Sequence, residues 1–365
     1  MYSFDPTEEQ QMLIDAVNKY AINDLRVAAH EAEENKELPK KLISKGWELG
    51  LLQASIPELY GGFGERSAVT GALALEEMAF GDLAGTLAVL TPSLFAMPIL
   101  LAGSEEQKQE YLPKVIEGEW SLYTAALIEY AFDFDPNALR TTAVLQGDEY
   151  SLNGEKAFVP FAKEAESILV YANLNGQTQG FIVPKSSVGL SINDEREKLM
   201  GLNALPLYRV QLNEVKVPAS NRLGGASGHD FELILASMRI ANASAAVGVA
   251  NAAFEYSKNY AKEREAFGVK IAQKQAIAFM LAEMRTEIEA MRLLTWEAAW
   301  KLDQGHEDAA NEAYLASTGA ADMVMMVTDR AVQILGGHGY IREHPVEMWM
   351  RNGRGFTTFV GLAIV

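Results

Sequence analysis

The sequence predicts an α+β protein with a helical N-terminal domain, a central β domain and a C-terminal bundle of helices. Three observations predict it. Over residues 1 to about 118, and again from Asp230 to about Gly336, apolar residues recur three and four positions apart, the spacing of a helix buried along one face. Between Trp120 and Leu223 the apolar runs are short, alternate with polar residues and stop at Asn, Gly and Pro, which is strand and hairpin chemistry. A length of 365 residues allows two or three domains with ample core. The boundaries this texture suggests are 1–118, 119–226 and 227–365.

Thr7 followed by Gln10 reads as a capping box that opens the first helix. Leu38 to Leu52, after Pro39, is the next apolar-periodic run. Pro57 to Gly64 (PELYGGFG) is a turn-rich loop, Leu73 to Phe80 starts another helix, and Glu105 to Ile116 a further one. Leu83 to Gly103 carries no charge and is long enough to span a bilayer. Pro92 and Pro98 interrupt it and it has no basic flank, so two buried core helices joined near Pro92 are expected, with no membrane span. Strands are expected at Thr141–Leu145, Tyr150–Asn153, Ser167–Ala172, Gly180–Val183 and Leu207–Leu212. Beyond Asp230, segments such as Ile271 to Leu302 are long enough to pack as a bundle, with wide apolar faces left for subunit contacts.

Composition removes several function classes. Lys and Arg number 31 against 49 Asp and Glu, a net charge of −18. A nucleic-acid binder needs clustered Lys and Arg, so that class is disfavoured. An anionic small molecule remains within reach of local Arg residues and helix N-termini. The absence of Cys excludes disulfides, thiolate metal sites and Cys nucleophiles, and suits a reducing compartment. Met1 to Pro6 has neither the basic nor the apolar stretch of a signal peptide, so a cytoplasmic location is expected. His30, His229, His306, His338 and His344 show no metal-ligand spacing, and Asp133-x-Asp135 lacks the rest of a calcium loop; no metal is expected. Met323, Met325 and Met326 read as packing residues, and His338 as a residue that fixes a loop.

Four motifs then appear in order. Pro57-Glu58-Leu59-Tyr60-Gly61-Gly62-Phe63-Gly64 is the first. Gly103-Ser104-Glu105-Glu106-Gln107-Lys108 leads to Tyr111-Leu112-Pro113 and Gly118-Glu119. Tyr260-Ala261-Lys262-Glu263-Arg264-Glu265-Ala266-Phe267-Gly268 reaches Gln275. Gln333-Ile334-Leu335-Gly336-Gly337-His338-Gly339-Tyr340 precedes Pro345-Val346-Glu347 and Arg351. Together, at this spacing, they resemble the acyl-CoA dehydrogenase family over essentially the whole chain. The resemblance implies a barrel-like middle domain and a C-terminal four-helix bundle. It implies oxidation of an acyl-CoA thioester to the 2-enoyl-CoA. In that reaction a carboxylate takes a proton from Cα while Cβ passes hydride to flavin N5. It also implies FAD shared across a subunit interface, with one chain's β domain holding the flavin ring and the neighbour's bundle covering the adenine and pyrophosphate. An electron-transfer flavoprotein is the usual acceptor.

Residue by residue, the resemblance splits in two. In the lending half, Arg264 matches the Arg that reaches the neighbour's pyrophosphate, Phe267 the aromatic that packs on the cofactor, and Gln275, Gln333, Gly336 and Gly337 the polar and close-approach positions. Without a cofactor, Arg264 reads as an ion pair with Glu263 or Glu265, and Gly336-Gly337 as a helix stop. In the receiving half the family's A-L-T-E-P-G-A-G-S-D is Ala126-Leu127-Ile128-Glu129-Tyr130-Ala131-Phe132-Asp133-Phe134-Asp135. Ile128 replaces a flavin-facing Thr and Phe134 a Ser near the CoA portion. The family's W-I-T-N is Phe158-Val159-Pro160-Phe161; Phe158 can still stack on a ring, while Pro160 offers neither hydroxyl nor N–H. Val360 stands at the family's Glu base. An alternative base position, just before the substrate-binding Arg that matches Arg239, is Met238. No catalytic base is therefore expected; Glu129, Asp133 and Asp135 are nearby carboxylates that read as solvated loop acids.

Three functions follow from this pattern. The chain resembles the degenerate subunit of a heteromeric α2β2 acyl-CoA dehydrogenase, of the kind found in fatty acid or steroid side-chain breakdown. Such a subunit completes a homologous partner's FAD site while its own site stands empty. The alternatives are an autonomous homotetrameric flavoenzyme with an unidentified base, and a flavin-free acyl-CoA-binding scaffold.

Overall fold

A computed structural model describes residues 5–118, 120 and 123–365. Glu119, part of the Gly118-Glu119 motif, and Met1 to Phe4 lie outside the described residues. The N-terminal region is helical: α1 (Glu8–Tyr20), α2 (Arg26–Asn35), α3 (Lys40–Trp47), α4 (Leu51–Ala54), α5 (Ala68–Gly81), α6 (Leu83–Val89), α7 (Ser93–Ala102) and α8 (Glu105–Ile116). A π-helical turn, Ala21–Leu25, joins α1 to α2. The capping box expected at Thr7 is present, with Thr7 Oγ1 accepting from Gln10 N and Gln10 Oε1 from Thr7 N. The single run expected from Leu38 to Leu52 is two helices. Gly50, at φ +69°, adopts a left-handed conformation that suits glycine and breaks the ladder there. The helix expected to begin at Leu73 begins at Ala68, where Ser67 caps it and Asp303 accepts from the N–H groups of Ala68 and Val69. A carboxylate from a distant helix is invisible to local sequence reading.

The strands β1 (Tyr123–Ala126), β2 (Thr142–Gln146), β3 (Glu149–Pro160), β4 (Ser167–Leu174), β5 (Gln177–Pro184), β6 (Leu190–Ile192) and β7 (Leu207–Pro218) form one sheet. Its order is β1-β4-β2-β3-β7-β6, with β5 added on β4. β3 runs on past Asn153 to Pro160, so Phe158 and Pro160 belong to it, and it bulges between Lys156 and Val159 where it pairs with β7. β1 pairs parallel with β4 and carries the chain into the loop beyond Ala126.

The C-terminal region holds three long helices, α9 (Phe231–Glu263), α10 (Gln275–Asp303) and α11 (Ala309–Leu335), followed by α12 (Val346–Gly353). α9 packs against α5, α10 and α11, so the N-terminal and C-terminal helices share one core. α9 is long and apolar enough to cross a membrane, and 89% of its most apolar stretch is buried inside the chain. The near-complete burial of that stretch, where a surface helix would show a polar stripe, reflects its place at the centre of the packing. α6 and α7, the uncharged stretch with Pro92, are likewise buried and meet at a bend of 53°.

Candidate functional site

The lending residues collect at one end of the long helices. Arg264 caps the C-terminus of α9, its N–H bonded to Tyr260 O at 2.8 Å. A two-residue antiparallel ladder and a 3-10 turn then lead to Gln275, the first residue of α10. Gln333, Gly336 and Gly337 close the C-terminus of α11. All of these side chains and glycines are exposed, and Phe267 is 94% exposed on backbone at φ +55°. Lys274 Nζ lies 5.9 Å from the ring centroid, and the rest of the ring faces solvent, a costly arrangement on left-handed backbone. The ion pair that Arg264 makes in the cofactor-free reading does not form: Glu265 pairs with Lys270 at 2.8 Å, and Arg264 has no carboxylate within reach among the described residues. Gly336 sits at φ +57°, ψ −127°, and a Cβ added to it or to Gly337 would meet only open space.

The receiving positions are buried and apolar. Ile128 is 4% exposed and Pro160 is buried at the end of β3. Gly361, at φ +107°, brings the C-terminal loop against this segment. A Cβ there would lie 3.1 Å from Leu127 and 3.6 Å from Ile128. Val360, expected at the base position, and Ile128, expected at the flavin-facing position, therefore sit on neighbouring stretches of chain. Phe158 occupies left-handed backbone (φ +54°) in the bulge of β3, its ring 6.2 Å from that of Tyr130; Phe132, two residues on from Tyr130, is fully exposed.

A cavity of about 230 Å³ brings Val360, Phe134, Arg239, Tyr314, Thr358 and Asp322 together. Arg239 lies over the Tyr314 ring at 5.0 Å and 3.8 Å from Glu232. Burial pulls its pKa down, against the opposing charges of Glu232, Tyr314 and Asp135. Met238 does not reach this cavity; it is fully buried in the core with Phe95, Leu235 and Tyr171. Its neighbour Arg239, about 100° further round α9, turns out to the cavity while Met238 turns in.

Of the three candidate carboxylates, Glu129 is a correction to the sequence reading. It is a buried acid, 6% exposed, with Lys156 Nζ at 2.8 Å and the N–H groups of Arg140 and Thr141 at 2.7 and 2.9 Å. Burial pushes the carboxyl up, but Lys156 and these donors together hold it below the usual carboxylate range. A carboxylate so satisfied cannot take a substrate proton. Asp133 pairs with Arg140 at 2.5 Å on the surface, and Asp135 accepts from Asn137 N at 2.9 Å in a local turn. Sequence reading missed Lys156, the one fully buried lysine among the described residues; a charge inside the alternating pattern of β3 was the available signal. It named Tyr260 and His344 but not their ring contacts with His338, which depend on a tertiary approach. No group of three or more His, Asp or Glu able to hold a metal occurs among the described residues.

Family models for the acyl-CoA dehydrogenase N-terminal, middle and C-terminal domains match residues 7–119, 126–215 and 231–363. The chain belongs to the acyl-CoA dehydrogenase family. It is 36% identical over 363 residues to the probable acyl-CoA dehydrogenase YngJ of Bacillus subtilis, covering 96% of this chain and 94% of that one. It is 35% identical to CarC, a subunit of the caffeyl-CoA reductase–Etf complex of Acetobacterium woodii, covering 98% of this chain and 96% of that one. The butyryl-CoA dehydrogenase structure from Megasphaera elsdenii superposes with a TM-score of 0.88 at 31% identity, covering 100% of this chain and 96% of that one. An oxidoreductase of the CH–CH class with FAD as its typical cofactor is the family's activity. The donor chemistry at the ends of α9 and α11 fits the dinucleotide part of FAD: a free guanidinium for a diphosphate, and glycine backbone open to close approach. The segment around Ile128 and Pro160 does not fit a flavin ring, since it offers the ring's polar edge an aliphatic side chain and a tertiary amide nitrogen without a proton.

Proposed function

We propose that this chain is one subunit of a heteromeric acyl-CoA dehydrogenase. It lends Arg264, Phe267, Gln275, Gln333, Gly336 and Gly337 to the FAD of a homologous partner subunit and does no redox chemistry at its own site. The single observation that carries the reading is an asymmetry. The lending side chains are exposed and Arg264 has no carboxylate partner among the described residues, while the receiving positions Ile128, Pro160 and Val360 are apolar and wholly or partly buried, with Gly361 bringing Val360's segment against Ile128. Decay without selection would erode both halves alike.

FAD bound at the partner's site accepts the hydride. This chain's share is electrostatic and steric: a guanidinium opposite the diphosphate, backbone donors near the adenine, and Phe267 as a lid on the cofactor. The cavity at Arg239 and Phe134 suits an acyl-CoA thioester that is held without being turned over, since Val360 cannot accept a proton. An electron-transfer flavoprotein is the acceptor this reading assigns to the complex, and a chain without cysteine suits the cytoplasm.

The chain purified alone tests the reading. Its visible spectrum should show flavin well below one equivalent per chain. A yellow homo-oligomer with every chain loaded would mean that the receiving half works, and would favour the autonomous enzyme.

A further inference from the structure

We propose that the stacked imidazoles of His338 and His344, pinned by Tyr260 and Tyr256, form a latch. The latch seats the Gly336–Gly337 turn on α9 and thereby sets the affinity for the adenosine diphosphate half of a dinucleotide. The inference rests on the lending role proposed above and assigns the residues that position it. His338 and His344 are positioning residues here; neither needs to touch the ligand.

The geometry is a closed set of four rings. Tyr260 OH lies 2.9 Å from His338 Nδ1, and Tyr256 OH lies 2.7 Å from His344 Nδ1. The two imidazoles stack with centroids 5.2 Å apart and planes 11° from parallel. Tyr256 and Tyr260 are four residues apart on α9, so they present their hydroxyls on one face, one turn above the other. Each tyrosine meets its histidine edge to face, and Tyr260 also meets His344 at 5.8 Å. A tyrosine O–H that donates to Nδ1 leaves the imidazole proton on Nε2 and fixes the ring's orientation.

What the latch holds is the turn. Among the described residues, Tyr260–His338 is the side-chain hydrogen bond that ties Gly336–Tyr340 to α9. Gly339 is pressed against α11, where a Cβ would come within 2.5 Å of Val332 O, so the turn is clamped from that side already. The free variable is its approach to the end of α9. Tyr260 is also the residue whose carbonyl accepts from Arg264 N. One tyrosine therefore fixes both the start of the Arg264 side chain and, through His338, the glycines that would face the same diphosphate. His344, from the segment leading into α12, stacks on His338 from the other side and joins α12 to the same unit.

ADP is the probe, because it keeps the adenine and diphosphate and dispenses with the flavin ring that the receiving half would have to seat. ADP is titrated calorimetrically into the purified chain, and amide hydrogen exchange is followed over residues 336–340. Tyr260→Phe and His338→Phe each remove one side of the hydrogen bond. Each should weaken ADP about fivefold and speed exchange in the turn, while the thermal midpoint stays near that of the unaltered chain. His338→Asn, whose Oδ1 takes the place of Nδ1, should retain most of the affinity. Arg264→Ala should weaken ADP at least tenfold and leave exchange in the turn unchanged. ADP affinity that survives Tyr260→Phe and His338→Phe but falls with Arg264→Ala overturns the latch and leaves the lending role standing. ADP affinity untouched by Arg264→Ala, or no ADP binding by the unaltered chain at millimolar concentration, overturns both.

Discussion

Lys156 Nζ lies 2.8 Å from Glu129 Oε1, and neither side chain reaches solvent appreciably. The ammonium also donates to Leu127 O at 3.1 Å. The pair ties the end of β1, with Ile128 and the loop beyond it, to the bulge of β3 that carries Phe158. Removing one partner strands a buried charge. Lys156→Met should therefore cost about 3–5 kcal/mol in denaturant unfolding, and adding Glu129→Gln, which removes the charge but still accepts from Arg140 and Thr141 N–H, should recover part of it. Because Glu129 is held below the usual carboxylate range, its share of stability is present above about pH 4.5 and is lost as pH falls through its folded-state value. A Glu129→Gln chain should show a shallower loss of stability in acid.

Asp82 gives the opposite sign. It caps α6, with Gly85 N donating to Oδ2 at 2.7 Å, yet it is 4% exposed. Burial raises its pKa from 3.8 to about 6, against the pull of Gly85 N–H and Arg26. A carboxyl raised on folding favours the folded state below its unfolded value and loses that advantage as pH rises through the folded one. Asp82→Asn keeps the cap and removes the titration. Relative to the unaltered chain it should gain stability between pH 4 and 6, by up to about 3 kcal/mol, and gain nothing further above that window. Chemical unfolding across pH 4 to 8 measures it.

Much of this architecture was legible in the chain, for reasons that are local. Glu105–Ile116 has its capping box at Ser104, and the bounds read from sequence are those of α8. The break at Pro92 fell where two prolines and a polar pair interrupt an apolar run. The strands expected between Thr141 and Leu212 exist, but β1 and β6 were missed, since four and three residues are too few to show alternation. At the site, the resemblance marks Ile128, Pro160 and Val360 as departures from the family pattern, and the flavin content of the chain tests that reading. The contact of Gly361 with Ile128, the inward turn of Met238 and the burial of Glu129 depend on tertiary approach, which no spacing encodes.

Val360→Glu restores a carboxylate at the family's base position. In this chain alone it should give no acyl-CoA oxidation with a dye acceptor, because a base without a seated hydride acceptor completes no turnover. The new carboxylate would also sit close to the apolar Leu127–Ile128 segment, which Gly361 already contacts. Turnover by the Val360→Glu homo-oligomer would show that the chain's own site binds flavin productively.

The long helices leave apolar side chains uncovered. Phe279 (57% exposed) and Leu293 (39%) project from α10, and Leu315 (54%) from α11. Exposed apolar side chains of this kind suit the subunit contact that the proposed lending requires. Sedimentation velocity at micromolar concentration should find an oligomer, and Phe279→Glu with Leu315→Glu should disperse it. A monomeric unaltered chain would remove the interface on which cofactor lending depends.

The most direct test of that lending is the flavin content of the complex. The chain is co-expressed with a family member that keeps the T-E-P segment and the carboxylate base, and bound FAD is counted against each chain. The unaltered complex should hold FAD at the partner's sites and none at its own. Arg264→Ala in this chain should empty the partner's sites, since a charge-assisted contact worth about 1.5–3 kcal/mol corresponds to a tenfold to hundredfold loss of affinity. A complex that keeps its full complement of FAD and its acyl-CoA oxidation with Arg264→Ala would contradict the division of labour.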